Sequence, residues 1–249
     1  MLFDEKLDEA YAEGNEKWKI DFYVPEAPRE EVALLFIHGG GWAKGSKEQW
    51  SDVAKHFAQL GYMSASAGYR LTDMAVYPAQ LEDVHNAMQY MKKQSSRFGF
   101  DPERIVVIGS SAGGYLAAML ALDAAYKESY PQAVILYCPV TTLEMNGDFI
   151  PQFMGCPWEG NEELYREASP YNRITGTELP FLIIQGDADV TTPYEQVASF
   201  HEALLESGVH SELEVLEGVG HGFGYGVATP AQQKSIQTIE AFLKAHFSA

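Results

Sequence analysis

The chain is poor in cysteine, poor in basic residues and free of long apolar runs. Its two cysteines, Cys138 and Cys156, form no C-x-x-C pair. A disulfide framework needs more, so both are expected to be reduced, with Cys138 buried at a strand end. Lys and Arg together number 17 against 35 Asp and Glu, for a net charge of −18. That field repels phosphate, which argues against nucleic acid and against anionic lipid as partners. No apolar stretch is long enough to cross a bilayer. The opening residues, "MLFDEKLDEAYAEGNEKWK", lack the basic start and apolar core of a signal peptide. The expectation is a cytoplasmic globular protein with no membrane partner.

What is present is a regular alternation. Apolar runs at 19–24, 32–38, 63–68, 104–109, 133–139, 181–185 and 213–216 read as strands. Several, such as "VALLFIH" and "RIVVIG", are apolar throughout, as strands buried on both faces are. Between them lie segments with helical spacing. "SDVAKHFAQLG" puts Val53, Ala54, Phe57, Ala58 and Leu60 on one side and stops at Gly61. "AQLEDVHNAMQYMKKQ", "PYEQVASFHEALLESG" and "PAQQKSIQTIEAFLKAHF" behave similarly. Alternating strand and helix predicts an α/β fold with a mostly parallel sheet, as one domain over 1–249. One block, 141–179, carries no strand signal but many aromatics and glycines. A connection that long is usually functional or holds short helices. It fits either a small lid or, through exposed aromatics, a contact between two copies in a homodimer.

The segment "RIVVIGSSAGGYLAAMLAL" carries chemistry. A strand runs into Gly109-Ser110-Ser111-Ala112-Gly113 and then into a helix of small residues. This is G-x-S-x-G in its strand–turn–helix context, with Ser111 in register and Ser110 out of it. The helix that follows aims N–H groups at developing negative charge. A serine nucleophile makes a tetrahedral oxyanion, which preorganised backbone N–H donors must hold. One would come from Ala112. The others fit His38-Gly39-Gly40-Gly41, where an apolar strand ends in three glycines. The donors there would be Gly40 and Gly41, with His38 pinning the loop. "GGWAKGSK" fails as a phosphate loop, because Gly-Ser-Lys stands where Gly-Lys-Ser/Thr is required.

A serine hydroxyl needs a base, and the base needs a carboxylate to orient it. On such a fold the chain order is Ser, acid, His. "FLIIQGDADVTTP" supplies Asp187 and Asp189 after one strand, and "ELEVLEGVGHGFG" supplies His221 after the next. Asp189 lies deeper in its turn and is taken as the orienting acid. Asp187 is left to stabilise the turn through backbone N–H groups.

Together these residues resemble the α/β-hydrolase superfamily, and within it the hormone-sensitive-lipase-like esterases. The shared marks are "HGGGW", "GSSAGG", "YRL", "YPAQLEDV", "FDPERI", "GDADVTTP" and "GHGF". The resemblance implies a sheet of about eight strands, a Ser111–His221–Asp189 triad and an oxyanion hole from Gly40, Gly41 and Ala112. It implies no cofactor and no metal, and no His/Cys/Asp cluster shows metal-ligand spacing. Only 37 residues precede His38, too few for a full N-terminal helical cap. Ser110 stands where many relatives carry Asp. Both features look closer to the compact carbohydrate-esterase-like branch of acetylxylan and feruloyl esterase relatives. Trp42, Tyr69, Trp158 and Phe223, with Tyr77, Phe149, Phe153 and Met154 beside them, are expected to line a cleft for a short acyl group. The activity implied is hydrolysis of small short-acyl esters, including carbohydrate acetates. An arylformamidase or small amidase is one alternative, and a non-catalytic binding protein on the same fold is another.

Overall fold

The computed structural model describes residues 2–28, 32–144, 148–176 and 179–247. Eight strands form one sheet: β1 (Phe3–Ala10), β2 (Lys19–Pro25), β3 (Ala33–Ile37), β4 (Met63–Ala67), β5 (Ile105–Ser110), β6 (Ala133–Tyr137), β7 (Phe181–Gly186) and β8 (Ser211–Leu216). Their spatial order is β1-β2-β4-β3-β5-β6-β7-β8. β1 and β2 run antiparallel, as do β2 and β4, and the remaining pairs are parallel.

Burial on both faces explains the apolar runs. All five residues of β3 are buried. Leu34 and Phe36 face α1 (Ser51–Gln59) and α8 (Pro230–Phe247), in a core with Val53, Phe57, Ile239 and Phe242. Ala33, Leu35 and Ile37 face the opposite layer. That layer holds α2 (Ala79–Lys93), α4 (Ala112–Leu122) and α7 (Tyr194–Glu206), with short α3 (Ser95–Phe98) closing onto it. All 11 residues of α4 are buried, which is why its sequence has no polar face.

β1 escaped the sequence reading. Its eight residues, "FDEKLDEA", are mostly exposed. An edge strand carries charge instead of an apolar stripe, which guards its unpaired rim. Among the described residues no helical cap precedes β3.

The 141–179 block forms α5 (Phe149–Met154) and α6 (Glu162–Glu167), while its positions 145–147 and 177–178 lie outside the described residues. Its aromatics are not exposed as expected. Phe153 and Tyr165 are buried, and Phe153 stacks on Trp42 with centroids 4.0 Å apart. Tyr171 is the outward one, 40% exposed. Among the described residues no helix is long and apolar enough to cross a membrane.

The chain leaves β3 toward β4, then crosses to β5 on the other side of β3. Connections that diverge from neighbouring strands open a crevice at their carboxyl ends, where α/β proteins bind ligands. Gly40 and Gly41 follow β3 and Ser111 follows β5, and all three line that crevice.

The crevice depends on small residues. A Cβ on Gly113 would run into the carbonyls of Ile37 and His38. Gly113→Ala is therefore expected to lower the free energy of unfolding by about 1–3 kcal/mol through overpacking. Urea denaturation measures this, and a wild-type midpoint would show that β3 and α4 have room to part.

Candidate active site

The nucleophile turn is a single residue. β5 ends at Ser110 and α4 begins at Ala112, so Ser111 alone reverses the chain. It does so at φ 54° and ψ −117°, a region that costs a side-chain-bearing residue about 1–3 kcal/mol. Neighbours hold it there. Its N–H donates to the Tyr137 carbonyl at 2.8 Å, and its carbonyl accepts from Tyr115 N–H at 2.9 Å. A Cβ on Gly109 would strike the Gly113 carbonyl, and one on Gly39 would lie 2.7 Å from the Ser110 carbonyl. Three glycines thus let β3, β5 and α4 meet at one point.

β7 and β8 deliver the other two side chains. His221 Nε2 lies 2.9 Å from Ser111 Oγ, and its Nδ1 lies 2.7 Å from Asp189 Oδ2. With Nδ1 donating to the carboxylate, Nε2 is the acceptor for the serine hydroxyl. Asp189 is buried, and its oxygens are fully engaged. Oδ1 accepts from the N–H groups of Thr191 (2.8 Å) and Thr192 (2.9 Å), and Oδ2 from Thr192 Oγ1 (2.9 Å). Burial opposes ionisation of Asp189, but the bonds from His221 and Thr192 outweigh it and hold its pKa below the ordinary value. Burial likewise opposes protonation of His221. The Asp189 carboxylate and the nearby Cys138 sulfur reverse that and hold its pKa above the ordinary 6.5. Asp187 is exposed and accepts from Gly218 N–H at 2.6 Å, tying the two turns together as expected of a turn residue.

The loop after β3 is pinned from behind. His38 is buried and stacks on Tyr69, with centroids 4.2 Å apart. Burial pushes its pKa down to about 4, so it stays neutral. Gly40 and Gly41 take φ of 109° and 59°, which glycine adopts freely. Both face a cleft of about 470 Å³ that Ser111 and His221 also line. Ala112 is the first residue of α4, so its N–H has no intrahelical acceptor.

The aromatic wall differs from the expectation. Trp42, Tyr69, Trp158 and Phe223 do not line this cleft. Trp42 is fully buried behind Phe149, at 6.0 Å. Tyr69 is spent on His38, whose carbonyl accepts its hydroxyl at 2.9 Å. Trp158 packs edge-on against Tyr165, and Phe223 packs against Tyr137. Aromatics near strand ends pack inward as readily as they line pockets, so proximity in sequence misled. Of the wider set, Phe149 does line the cleft, with Val140, Thr191, Lys44 and Gln49. Tyr225 was missed. It lines the cleft, and its hydroxyl accepts from Gly39 N–H at 2.7 Å. Its place in the glycine-rich loop after β8, beside His221, was the available signal.

Cys138 is a free, buried thiol, as expected, and Cys156 is also free. Cys138, Asp189 and His221 each place a ligand atom within 4.8 Å of the others, but the bond between His221 and Asp189 already occupies that pair.

A mostly parallel sheet with Ser, Asp and His past the ends of β5, β7 and β8, in that chain order, defines an α/β-hydrolase. The chain belongs to the BD-FAE family, whose model matches residues 20–204. Esterase LipC of Mycobacterium tuberculosis is 32% identical, over 76% of this chain and 52% of LipC. Ethyl acetate hydrolase of Pseudomonas putida is 27% identical, over 77% of this chain and 66% of its own length. The chain spans about half the length of the first curated relatives it matches. Among solved structures, esterase 2 of Thermogutta terrifontis superposes with a TM-score of 0.82 at 26% identity. The match covers 98% of this chain and 93% of that one.

The carboxylate beside His221 has a direct readout. In a proton NMR titration the His221 ring is expected to titrate above 6.5. In Asp189→Asn the transition should fall, since the largest opposing charge is gone. A wild-type transition below the ordinary value would mean that burial dominates.

Proposed function

We propose that this chain is a serine esterase that hydrolyses small esters of short acyl chains. The observation that carries the reading is the contact of Ser111 Oγ with His221 Nε2 at 2.9 Å, backed by Asp189 at 2.7 Å, at the floor of a cleft. Ser111 Oγ attacks the ester carbonyl carbon while its proton passes to His221 Nε2. Asp189 steadies the imidazolium and its orientation. The oxyanion sits between the N–H groups of Gly40, Gly41 and Ala112. Collapse breaks the bond to the alkoxide, which leaves with the proton from His221. Water, deprotonated by His221, then attacks the acyl-enzyme and frees Ser111.

Two further points support the reading. The Thermogutta neighbour was solved with propionate and with butyrate bound, and phosphorylated by paraoxon. Val140 and Phe149 give the cleft apolar wall, and its volume of about 470 Å³ suits a short acyl group with a modest alcohol or sugar. Because His221 must be neutral to act as base and its pKa is raised, kcat/KM should rise with pH through a value above 6.5.

The test is a rate panel on wild type and Ser111→Ala. The substrates are p-nitrophenyl acetate, butyrate, octanoate and palmitate, an acetylated xylo-oligosaccharide and N-formylkynurenine. Acetate and butyrate should turn over fastest, and Ser111→Ala should lose at least about 10⁴-fold. Folded wild type that cleaves no ester would refute the proposal. Preference for N-formylkynurenine would make it an amidase.

A further inference from the structure

At the edge of the sheet away from β1, β8 pairs, among the described residues, with β7 alone. The C-terminal end of α8 passes close to the start of β8. There Glu212 Oε1 lies 3.1 Å from His210 Nε2 and 3.5 Å from His246 Nε2. The two imidazole rings meet at 5.0 Å between centroids, inclined by 67°. One ligand atom from each residue lies within 4.8 Å of the others.

We propose that His210, Glu212 and His246 form a binding site for a transition-metal dication of the zinc class. A four-coordinate zinc ion with ligands at about 2.0–2.2 Å separates neighbouring donor atoms by roughly 3.4 Å. The two distances to Glu212 Oε1 already match that spacing. The third, between the two imidazole donors, lies within 4.8 Å, and the His210 side chain, 55% exposed, has solvent around it in which to turn. The His246 ring is held on Phe242, with centroids 4.5 Å apart, and supplies the fixed corner.

The chemistry is selective. Two imidazoles with one carboxylate suit zinc, nickel or copper, whereas magnesium and calcium prefer all-oxygen sets. The electrostatics agree, because a chain with a net charge of −18 draws cations to its surface. His246 also sits in the last turn of α8, where the helix dipole favours positive charge. Water would complete the coordination from the exposed side. An ion there would join the last helix to the free edge strand, far along the sheet from Ser111.

Sequence spacing hides the set. His210 and Glu212 are two apart, but His246 lies 34 residues beyond Glu212. Only the packing of α8 on β8 brings it in.

The test uses the untagged full chain, stripped with a chelator and dialysed. Wild type with ZnCl2 should bind one ion in the micromolar range by equilibrium dialysis. Its Tm should rise by about 5 °C or more at saturation. MgCl2 should give no rise. The doubly substituted His210→Ala/His246→Ala chain should lose the zinc-dependent rise, read against its own metal-free Tm, which drops a little as the His246 ring leaves Phe242. Glu212→Gln should weaken binding at least tenfold, which guards against a folding defect in the double variant. A wild type that zinc does not stabilise overturns the proposal. So does a double variant that zinc stabilises equally, since the ion would then sit elsewhere, as at Cys138 and His221. A rise with MgCl2 as large as with ZnCl2 overturns it too.

Discussion

Everything at the site rests on the contact between the turn after β5 and the loop after β3. Gly39, Gly109 and Gly113 permit that contact, because a methyl group on any of them meets a carbonyl. The contact forces Ser111 into a left-handed conformation and aims its hydroxyl away from the sheet. It also sets the first turn of α4 against the carbonyls of Ile37 and His38, next to the glycine loop. The strain at Ser111 persists because hydrogen bonds to Tyr137 and Tyr115 over-determine the turn.

A second layer holds the polar side chains. The cost of burying the Asp189 carboxylate is offset by His221, with the Thr191 and Thr192 N–H groups and the Thr192 hydroxyl also donating to it. Those bonds also fix which oxygen faces His221. Across the cleft, the Tyr225 hydroxyl takes the Gly39 N–H, so the loop that carries His221 is tied to the loop that carries Gly40. The two loops therefore share one frame, although β3 and β8 are separated by three strands in the sheet.

The legible parts of the sequence were those where one physical demand acts alone. Strands such as β3 and β5 must be apolar on both faces, so their extents were readable to within a residue or two. β1 carries no such demand and was invisible, its "FDEKLDEA" shaped by exposure at an edge. Ser111, Asp189 and His221 each stand just past a strand, in the order such chemistry uses, and the structure brings them into hydrogen-bond contact. The cleft wall was not readable, because an aromatic ring is equally content in a core. Trp42 and Tyr69 went inward to brace Phe153 and His38, while Tyr225 turned to the cleft. Nothing in composition separates these fates. They follow from which helix packs over which loop.

The oxyanion donors assigned to Gly40, Gly41 and Ala112 are all main-chain groups. No exchange of a side chain can delete them, short of one that bends the backbone. The cleft's character is carried by a few side chains, notably Lys44, Gln49, Val140 and Phe149, that take no part in holding the turn. Chemistry and selectivity are thus inherited separately. A substitution at the rim can therefore reshape the cleft while the turn that carries Ser111 keeps its geometry.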